Sequence, residues 1–600
     1  MSIRDVLSPF SAWKNLLRDP VTIPDPINDR PGAPRYRGFH QNDIKKCIGC
    51  GTCEAICQNG AIDMLPVEGI AAQEGDSGLR PRIDYGRCCW CALCVDICMT
   101  GSLSMSNAYQ WVDADPDAFR FTPGVDKKPW DDAALGYRRP EGHRLNLHAR
   151  IPMGELEPDV RISSFAEIVD GYSVAEAKLE ADRCVACGLC IATCPAHMSI
   201  PDYIAAVRAG DYELGLKLLY ETNPFSQVCG RVCTHKCETV CAAQYDGDPI
   251  AIRWLKRHIT DQVPYEKYVD IIGPPAPTTG KTVAVVGSGP AGLTAAYDLA
   301  RLGHKVIVYE ALNKPGGMPR YGIPEYRLPY DAMDREIAVI VAQGVEIRCN
   351  SRIGADISMA QLHGNHDAVV LSIGLHLGRS TRIPGADHPG VAKAVDLLRA
   401  ITDGETIDVP RQAVVIGGGN VAMDIARSVA RLQKLNYGDV KVTVTALEDR
   451  EHFLADPDEV KECGEEDIEI CDARGPQEMV IDEAGNLRGL KTWRVRAIFD
   501  DQGRFAPSYD ESDEKIHEGE MVIEAIGQAS DVSLLGQDLT EALQWNRGRI
   551  AVDGDGRTSV PWLWAGGDCV NGPDVVHAVA DGHRVAKSID RALMRQEAKI

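Results

Sequence analysis

The hydrophobic pattern of this chain changes character along its length. From residue 281 onward, short apolar runs alternate with stretches of helical period, the mark of an α/β fold with parallel sheets. "KTVAVV" (281–286), "HKVIVYE" (304–310) and "QAVVI" (412–416) read as buried strands, and the first and third run into glycine-rich turns that open helices. "VTVTALEDRE" (442–451) alternates apolar and polar positions, which predicts a half-buried strand with Glu448 at its carboxyl end. Residues 161–272 carry helical patterning, and "GPPAPTTG" (273–280) is a linker by its proline and glycine content. Residues 106–160 are polar with no clear period and read as a linker, while residues 1–46 form a Pro-rich lead-in. No run approaches the roughly 18 apolar residues of a membrane helix.

Hydrophobic residues make up 44% of the 600, ordinary for a globular protein. The formal charge of -23 argues against nucleic acid, whose phosphates require a basic footprint; its main effect is solubility. The N-terminus lacks the basic, apolar and small-residue sections of a signal peptide, so a cytoplasmic location is expected.

Against that background the 21 cysteines stand out. In a reducing cytosol such a count indicates metal ligation rather than disulfides. Cys349, Cys463, Cys471 and Cys569 are scattered late in the chain and read as small buried hydrophobes. "CIGCGTCEAIC" (47–57) and "CCWCALCVDIC" (88–98) both have the C-x2-C-x2-C-x3-C spacing, in which three thiolates wrap one [4Fe-4S] cube and the fourth ligates the other. That rule assigns Cys47, Cys50, Cys53 and Cys98 to one cube, and Cys88, Cys91, Cys94 and Cys57 to the other. Cys89 is then a bystander. Zinc sites pair two CxxC units rather than threading three sulphurs through one loop. Gln58 and Met99 stand where a proline usually follows the last cysteine, a departure that removes no ligand.

With its lead-in "RGFHQNDIKKCIGCGTCEAIC" (37–57), this region resembles the two-cluster ferredoxin subunit of respiratory complex I, which implies a one-electron relay. Two further runs follow, "RCVACGLCIATCP" (183–195) and "NPFSQVCGRVCTHKCETVC" (223–241), flanked by "EAKLEADRC" and "DPIAIRWLKRHI". These resemble the N-terminal domain of the glutamate synthase small subunit, which dihydropyrimidine dehydrogenase and the bifurcating transhydrogenase flavoprotein subunit share. The resemblance implies interleaved runs, with Cys184, Cys187, Cys190 and Cys241 on one cube and Cys194, Cys233 and Cys237 on the other. Some relatives complete the second cube with a Gln or Glu at the position of Lys256. An ammonium has no lone pair for iron, so the fourth ligand is assigned to Cys229.

Two dinucleotide sites are expected. After the first strand comes Gly287-x-Gly289-x-x-Gly292, with Pro290 and Ala291, answered by Glu310 at the end of the next strand. The glycines let backbone approach a pyrophosphate at a helix N-terminus, and Glu310 accepts from a ribose hydroxyl. "KPGGMPRYGIPEYRLP" (314–329), with Gly316 and Gly317, resembles the second Gly-rich turn of the same flavoprotein family. "VPWLWAGGDCVNGPDVVHAVADGHRVA" (560–586) resembles its closing flavin motif, which implies Gly567, Asp568 and Val576 as FAD contacts, with Asp568 on the ribityl chain. The second site is Gly417-x-Gly419-x-x-Ala422, with Asn420 and Val421. Relatives carry two arginines for the 2'-phosphate of NADPH where this chain has Leu447 and Glu448. A carboxylate there accepts from a free 2'-hydroxyl and repels a phosphate, so NAD(H) is expected over NADP(H), with Arg450 as a complication. Glu459 and Glu462 read as solvated charges. The cofactors carry the hydride chemistry and no catalytic side chain is assigned.

The expected architecture is multidomain. A ferredoxin-like α+β domain (47–105) and a linker (106–160) precede a helical 2x[4Fe-4S] domain (161–272). Two Rossmann-like α/β domains follow: an FAD domain (281–388 and 523–600) and a nicotinamide domain (389–522) inserted in it through "HDAVVLSIG" and "MVIEAIGQ". The expected function is electron transfer between NAD(H) and a ferredoxin or larger oxidoreductase subunit, such as a 2-oxoacid:ferredoxin oxidoreductase, in a hetero-oligomer without nucleic acid or membrane insertion. Three alternatives stand beside it: a glutamate synthase small subunit using NADPH, an electron-bifurcating flavoprotein, and an electron-wiring scaffold without nicotinamide turnover.

Overall fold

The computed structural model describes residues 32–597 except 146 and 573, together with residues 10, 13, 16 and 18. Most of the lead-in expected over 1–46 lies outside the described residues. The chain divides into two compact units, the first holding residues 1–148, 185–189 and 242–248, the second all the rest. No helix among the described residues is long and apolar enough to cross a membrane.

In the first unit, strands His40–Asn42 and Leu103–Met105 pair antiparallel, and Ile62–Pro66, Leu79–Asp84 and Arg120–Phe121 form a second antiparallel sheet. The short helices Thr52–Ala55 and Leu93–Asp96 each begin inside a cysteine loop. Thiols and aromatic rings share one core: Cys53, Cys94 and Cys98 pack with Phe39, Tyr85, Phe121 and Trp130. Phe39 stacks on Trp130 at 4.1 Å, and Tyr85 on Phe121 at 5.2 Å. Residues 106–148 are therefore no spacer, because Trp111, Phe119, Phe121, Trp130 and Tyr137 all join that core. Single large rings bury much area at irregular spacing, and a search for period passes over them.

The second unit begins with helices. Val174–Asp182 opens with a capping box between Ser173 and Glu176, and Tyr212–Tyr220 is capped by Asp211. Ser226–Val232 packs on Ile252–Gln262, where Gly230 lets the two backbones close; a Cβ there would meet the Arg257 Cα at 2.9 Å. Two parallel five-stranded sheets follow. The first runs Leu563–Ala565, Ala368–Leu371, Thr282–Val286, Lys305–Tyr309, Glu346–Arg348. The second runs Val391–Lys393, Met521–Glu524, Ala413–Ile416, Val442–Thr445, Glu469–Cys471. The first sheet thus draws its strands from both sides of the second in sequence. Where the chain passes between them, Leu377–Gly378 and Gln528–Ala529 pair antiparallel.

Val442–Thr445 is not half-buried, since strands flank it on both edges and Thr445 is fully enclosed. Helices cover one face of this sheet, and Met479, Leu487 and Leu490 from the antiparallel strands Arg474–Ile481 and Leu487–Phe499 pack on its other face against Val414, Ile416 and Val522, so a threonine there can be enclosed without marking a solvent side. The strand stops at Thr445, three residues before Glu448. Two of the four late cysteines are buried, Cys463 and Cys569; Cys349 and Cys471 are partly exposed, and the Cys471 thiol contacts Glu469 and Lys515.

Glu459 and Glu462 are not solvated either. Both are buried and paired with Arg427, while Glu459 also meets Arg327 at 2.7 Å. At the centre of this network Glu466 is enclosed and accepts from Arg427, Arg431 and Arg161, with nitrogen–oxygen distances of 2.8–3.0 Å. Burial pushes its carboxyl up, but the hydrogen bonds and charges of Arg427 and Arg431 prevail and hold it at about 2. Glu466→Gln should therefore lower the unfolding free energy at pH 7 by about 3–5 kcal/mol, read from urea denaturation. Because the folded pKa lies below the ordinary 4.5, the contribution is full above pH 4.5 and fades as the pH falls toward about 2. Wild type and variant should converge only in that acid window.

Candidate cofactor sites

Three cysteine loops share one backbone solution. The residue before the second cysteine is left-handed in each: Gly49 (φ 65°), Trp90 (φ 53°) and Ala186 (φ 54°). The residue after it is left-handed as well: Gly51 (φ 73°), Ala92 (φ 67°) and Gly188 (φ 76°). Amides turned inward by such residues form concavities for anions. The run at 229–241 is built differently: Cys229 lies within helix Ser226–Val232, Cys233 caps its end, Cys237 lies on helix Lys236–Thr239, and Cys241 follows that helix.

The sulphurs fall into neighbourhoods. Cys53 is pushed well up by burial and then by the charges of Cys50, Cys94, Cys98 and Cys47. Cys94 is raised by burial and by Cys88, Cys91 and Cys57, so it faces the other set. Burial pushes Cys50 up to about 11, with Cys187 among the charges that add to it. Cys187 falls in the first unit, whereas Cys184, Cys190 and Cys241 fall in the second. Buried thiols of this kind stay protonated by themselves; a coordinated iron core deprotonates them, and the all-thiol donor set suits it. His40, enclosed and lowered to about 4 by burial, supports one of them. Its backbone N–H donates to the Tyr85 hydroxyl at 2.7 Å, which leaves that hydroxyl to donate to Nδ1 and Nε2–H to face the Cys94 Sγ at 3.2 Å.

In the second unit, Cys233 is raised by burial and by Asp574 and Cys194, Cys237 by burial, Cys233, Glu238 and Cys194, and Cys229 by burial and Cys233. Lys256 acts on all three in the opposite sense. Burial pulls the Lys256 ammonium down, and the charges that Cys233, Cys229, Cys194 and Cys237 carry when ionised push it above its ordinary value. The helix carrying Cys229 is itself pinned: its Gln227 and Val228 N–H groups donate to Glu336 at 2.6 and 3.1 Å, and burial raises that carboxyl to about 8. Periodicity gave no sign of Glu336.

A cavity of about 600 Å³ opens over the first sheet. Gly287, Gly289, Pro290, Ala291, Glu310, Gly317, Gly567 and Asp568 line it. Gly292, Gly316 and Val576 do not; Gly292 sits where a Cβ would meet the Gly287 carbonyl at 2.2 Å, a helix-to-strand contact. Glu310 accepts from Ser288 N and Oγ on one oxygen and from Leu312 N at 2.8 Å on the other, so the protein orients it before any ribose does. Asp568 Oδ1 is buried without a hydrogen-bond partner, and burial pushes its carboxyl up to about 6. An orphaned acceptor facing a glycine-walled cavity fits a polyhydroxyl ligand such as the ribityl chain of FAD. Thr234, next to Cys233, stands in the same wall and donates to Asp574 Oδ2 at 2.9 Å.

Among the expected nicotinamide contacts, Asn420 and Val421 reach this cavity from the N-terminus of helix Asn420–Tyr437. Gly419 has open space in front of it, and Ala422 is buried. A Cβ on Gly418 would come within 3.0 Å of the Glu448 Oε2, which places that carboxylate over the Gly417–Gly419 turn; Arg450 is exposed. Sequence reasoning missed the pair beneath: Arg327 donates to both Asp424 oxygens at 2.8 Å, and both residues line the cavity. Arg327 lies in the quoted "EYRLP", but only the fold brings Asp424 to it.

The family model described as pyridine nucleotide-disulphide oxidoreductase matches residues 281–582, half of the chain. Glutamate synthase [NADPH] small chain of Escherichia coli is 31% identical over 473 residues, 74% of this chain and 98% of that one. The chain belongs to this flavoprotein family. Two further models match within it, the 4Fe-4S dicluster domain at 46–102 and dihydropyrimidine dehydrogenase domain II, 4Fe-4S cluster, at 161–268. The beta subunit of the NADP(+)-dependent formate dehydrogenase of Moorella thermoacetica is 38% identical over 433 residues, 67% of this chain and 60% of its own length. The beta subunit of the NADPH-Fe(3+) oxidoreductase of Geobacter sulfurreducens is 34% identical over 433 residues, 67% of this chain and 63% of its own length. The chain thus spans less than two thirds of those two subunits.

For a member of the family, the approach of the two glycine turns gives a direct test. Gly317 has φ +61°, and a Cβ on it would meet the Gly289 Cα at 2.6 Å. Gly317→Ala should weaken FAD retention about tenfold or more, read as flavin per chain after desalting, with far-UV circular dichroism unchanged.

Proposed function

We propose that this chain passes electrons between NAD(H) and a ferredoxin or larger partner oxidoreductase through FAD and four [4Fe-4S] clusters. The observation that carries the reading is the junction at Cys233 and Thr234, where a cysteine run forms part of the wall of the flavin cavity. The proposed ligand sets are Cys57, Cys88, Cys91 and Cys94; Cys47, Cys50, Cys53 and Cys98; Cys184, Cys187, Cys190 and Cys241; and Cys194, Cys229, Cys233 and Cys237. Spacing and relatives alone carry the third set. The two sets of the ferredoxin-like extension are read as the outer pair of the relay and the two sets of the 161–272 domain as the inner pair.

When bound, the flavin supplies the exchange between a two-electron hydride and single electrons. The chain's own residues orient and insulate. Gly287, Gly289 and Gly317 admit the pyrophosphate, Glu310 and Asp568 accept hydroxyls, and the Arg327–Asp424 pair closes the wall toward the nicotinamide helix. The nicotinamide domain, 389–522, is read as an insertion in the FAD domain, supported by the strand orders of the two sheets. The partner is inferred from the ferredoxin-like extension and from the relatives, which carry subunit or small-chain names.

The proposed cofactor is NAD(H), because Glu448 sits over the glycine turn where a 2'-phosphate would add negative charge. NADP(H) is the second reading, favoured by the names of the relatives. Steady-state assays with an artificial acceptor should give a kcat/KM for NADH about tenfold or more above that for NADPH, and the double change Leu447→Arg, Glu448→Arg should reverse the order. A wild type faster with NADPH overturns the assignment. Anaerobic preparations should hold about 16 irons and one flavin per chain; fewer than about 12 irons would sink the four-cluster reading.

A further inference from the structure

We propose that the His40 imidazole donates a hydrogen bond from Nε2–H to the Cys94 sulphur, and that this bond favours the reduced state of the cluster held by Cys57, Cys88, Cys91 and Cys94. The inference rests on the four-cluster reading above.

His40 opens the strand His40–Asn42 and is 1% exposed. Its backbone is held on both sides. The N–H donates to the Tyr85 hydroxyl at 2.7 Å, and the carbonyl accepts from the Trp130 Nε1–H at 3.3 Å. The ring stands between Tyr85 and Cys94, with Nδ1 2.7 Å from the Tyr85 hydroxyl and Nε2 3.2 Å from the Cys94 Sγ. Proton counting fixes the tautomer. A phenol has one proton to give, and among the described residues Nδ1 is the acceptor that the Tyr85 hydroxyl reaches. The ring's own hydrogen therefore sits on Nε2, aimed at sulphur.

The other sulphur contacts of the first unit are of a different kind. Cys50 faces the Thr52 hydroxyl at 3.2 Å and Cys98 the Ser102 hydroxyl at 3.3 Å, and a hydroxyl can rotate its proton to another acceptor. Cys57 and Cys88 accept from the backbone N–H groups of Ala61 and Trp90 at 3.3 and 3.4 Å. Cys91 is exposed, so water can serve it, whereas Cys94 is buried and has the imidazole instead. One electron added to a thiolate-ligated iron core puts more negative charge on the sulphurs with no proton moved. A donor already fixed in a buried site interacts more strongly with the greater charge, so His40 raises the midpoint of this cluster. Through Cys91 the same set reaches the surface of the first unit, where electrons held on it are open to a soluble partner.

The test is an EPR-monitored reductive titration of the full chain loaded with flavin and iron. His40→Phe keeps a ring and removes the N–H. It should lower the midpoint of one cluster so that its reduced-to-oxidised ratio at a fixed potential falls about tenfold, which is 59 mV for one electron, and leave the others in place. His40→Gln, whose amide returns an N–H to the position of Nε2, should keep the ratio within threefold of wild type. Unmoved midpoints in His40→Phe, equal shifts in both variants, or a shift of all clusters together overturn the proposal. If His40→Phe fails to load its iron, labelling with 15N-histidine decides. Electron–nuclear double resonance should show a histidine nitrogen coupled to a reduced cluster in wild type and lose that coupling in His40→Gln. No such coupling in wild type, or the same coupling in both, overturns the proposal. Failure of the underlying reading looks different, as a wild type with fewer than about 12 irons per chain.

Discussion

The enclosed carboxylate of Glu466, shared by Arg161, Arg427 and Arg431, ties the start of the helical cysteine region to the helix Asn420–Tyr437 within the second unit. Arg161 lies at the start of the helical cysteine region, while Arg427 and Arg431 lie one turn apart on the helix that begins at Asn420. That helix puts its N-terminus in the cavity, so its middle turns, held by Glu466, set where Asn420 and Asp424 stand. Tyr326 lies under the Arg431 guanidinium at 3.8 Å, and its neighbour Arg327 takes both oxygens of Asp424. Such a network adds little to stability compared with an apolar core of the same shape, but it admits very few arrangements. A relay whose steps depend on distance is served by that restriction.

The same handling of charge recurs at the helix of Cys229 and at the cavity over the first sheet. Glu336 receives the first amides of the helix carrying Cys229, and Glu310 is oriented by Ser288 and Leu312. Asp568 differs from these two: its buried Oδ1 has no partner in the protein and faces the cavity. There an unsatisfied acceptor marks where a ligand completes the structure.

Local features of the site were legible in the sequence because their chemistry is local. Cysteine spacing fixes which sulphurs one loop can present, and a strand, a glycine turn and a helix occur in a row. What the sequence hid depends on residues far apart. The rings of Trp111, Phe121 and Trp130 join the thiol core from a stretch with no period. Glu459 and Glu462 look solvated beside other acids, and it is the approach of Arg427 to both, and of Arg327 to Glu459, from elsewhere in the chain that compensates their burial. Thr443 and Thr445 imitate a solvent-facing alternation that the covered sheet does not have. Periodicity reports which face of an element is apolar, whereas a buried ion pair needs both partners to be known.

The cysteine loops show how far the constraint reaches into backbone. Left-handed geometry costs a residue with a side chain about 1 kcal/mol or more, so glycine is the unforced choice at both positions. Gly49 and Gly51 meet that choice, but Trp90, Ala92 and Ala186 adopt the same geometry without it. Three loops of different composition would not converge on a costly backbone unless the turn itself were required, and the inward amides are what the turn provides. Trp90 recovers part of the cost by lying 5.5 Å from Tyr85, the residue that also orients His40 toward Cys94. Strain in the loop and order in the layer around it are therefore joined: the aromatic core that holds Tyr85 is also what lets a tryptophan sit in a glycine's conformation.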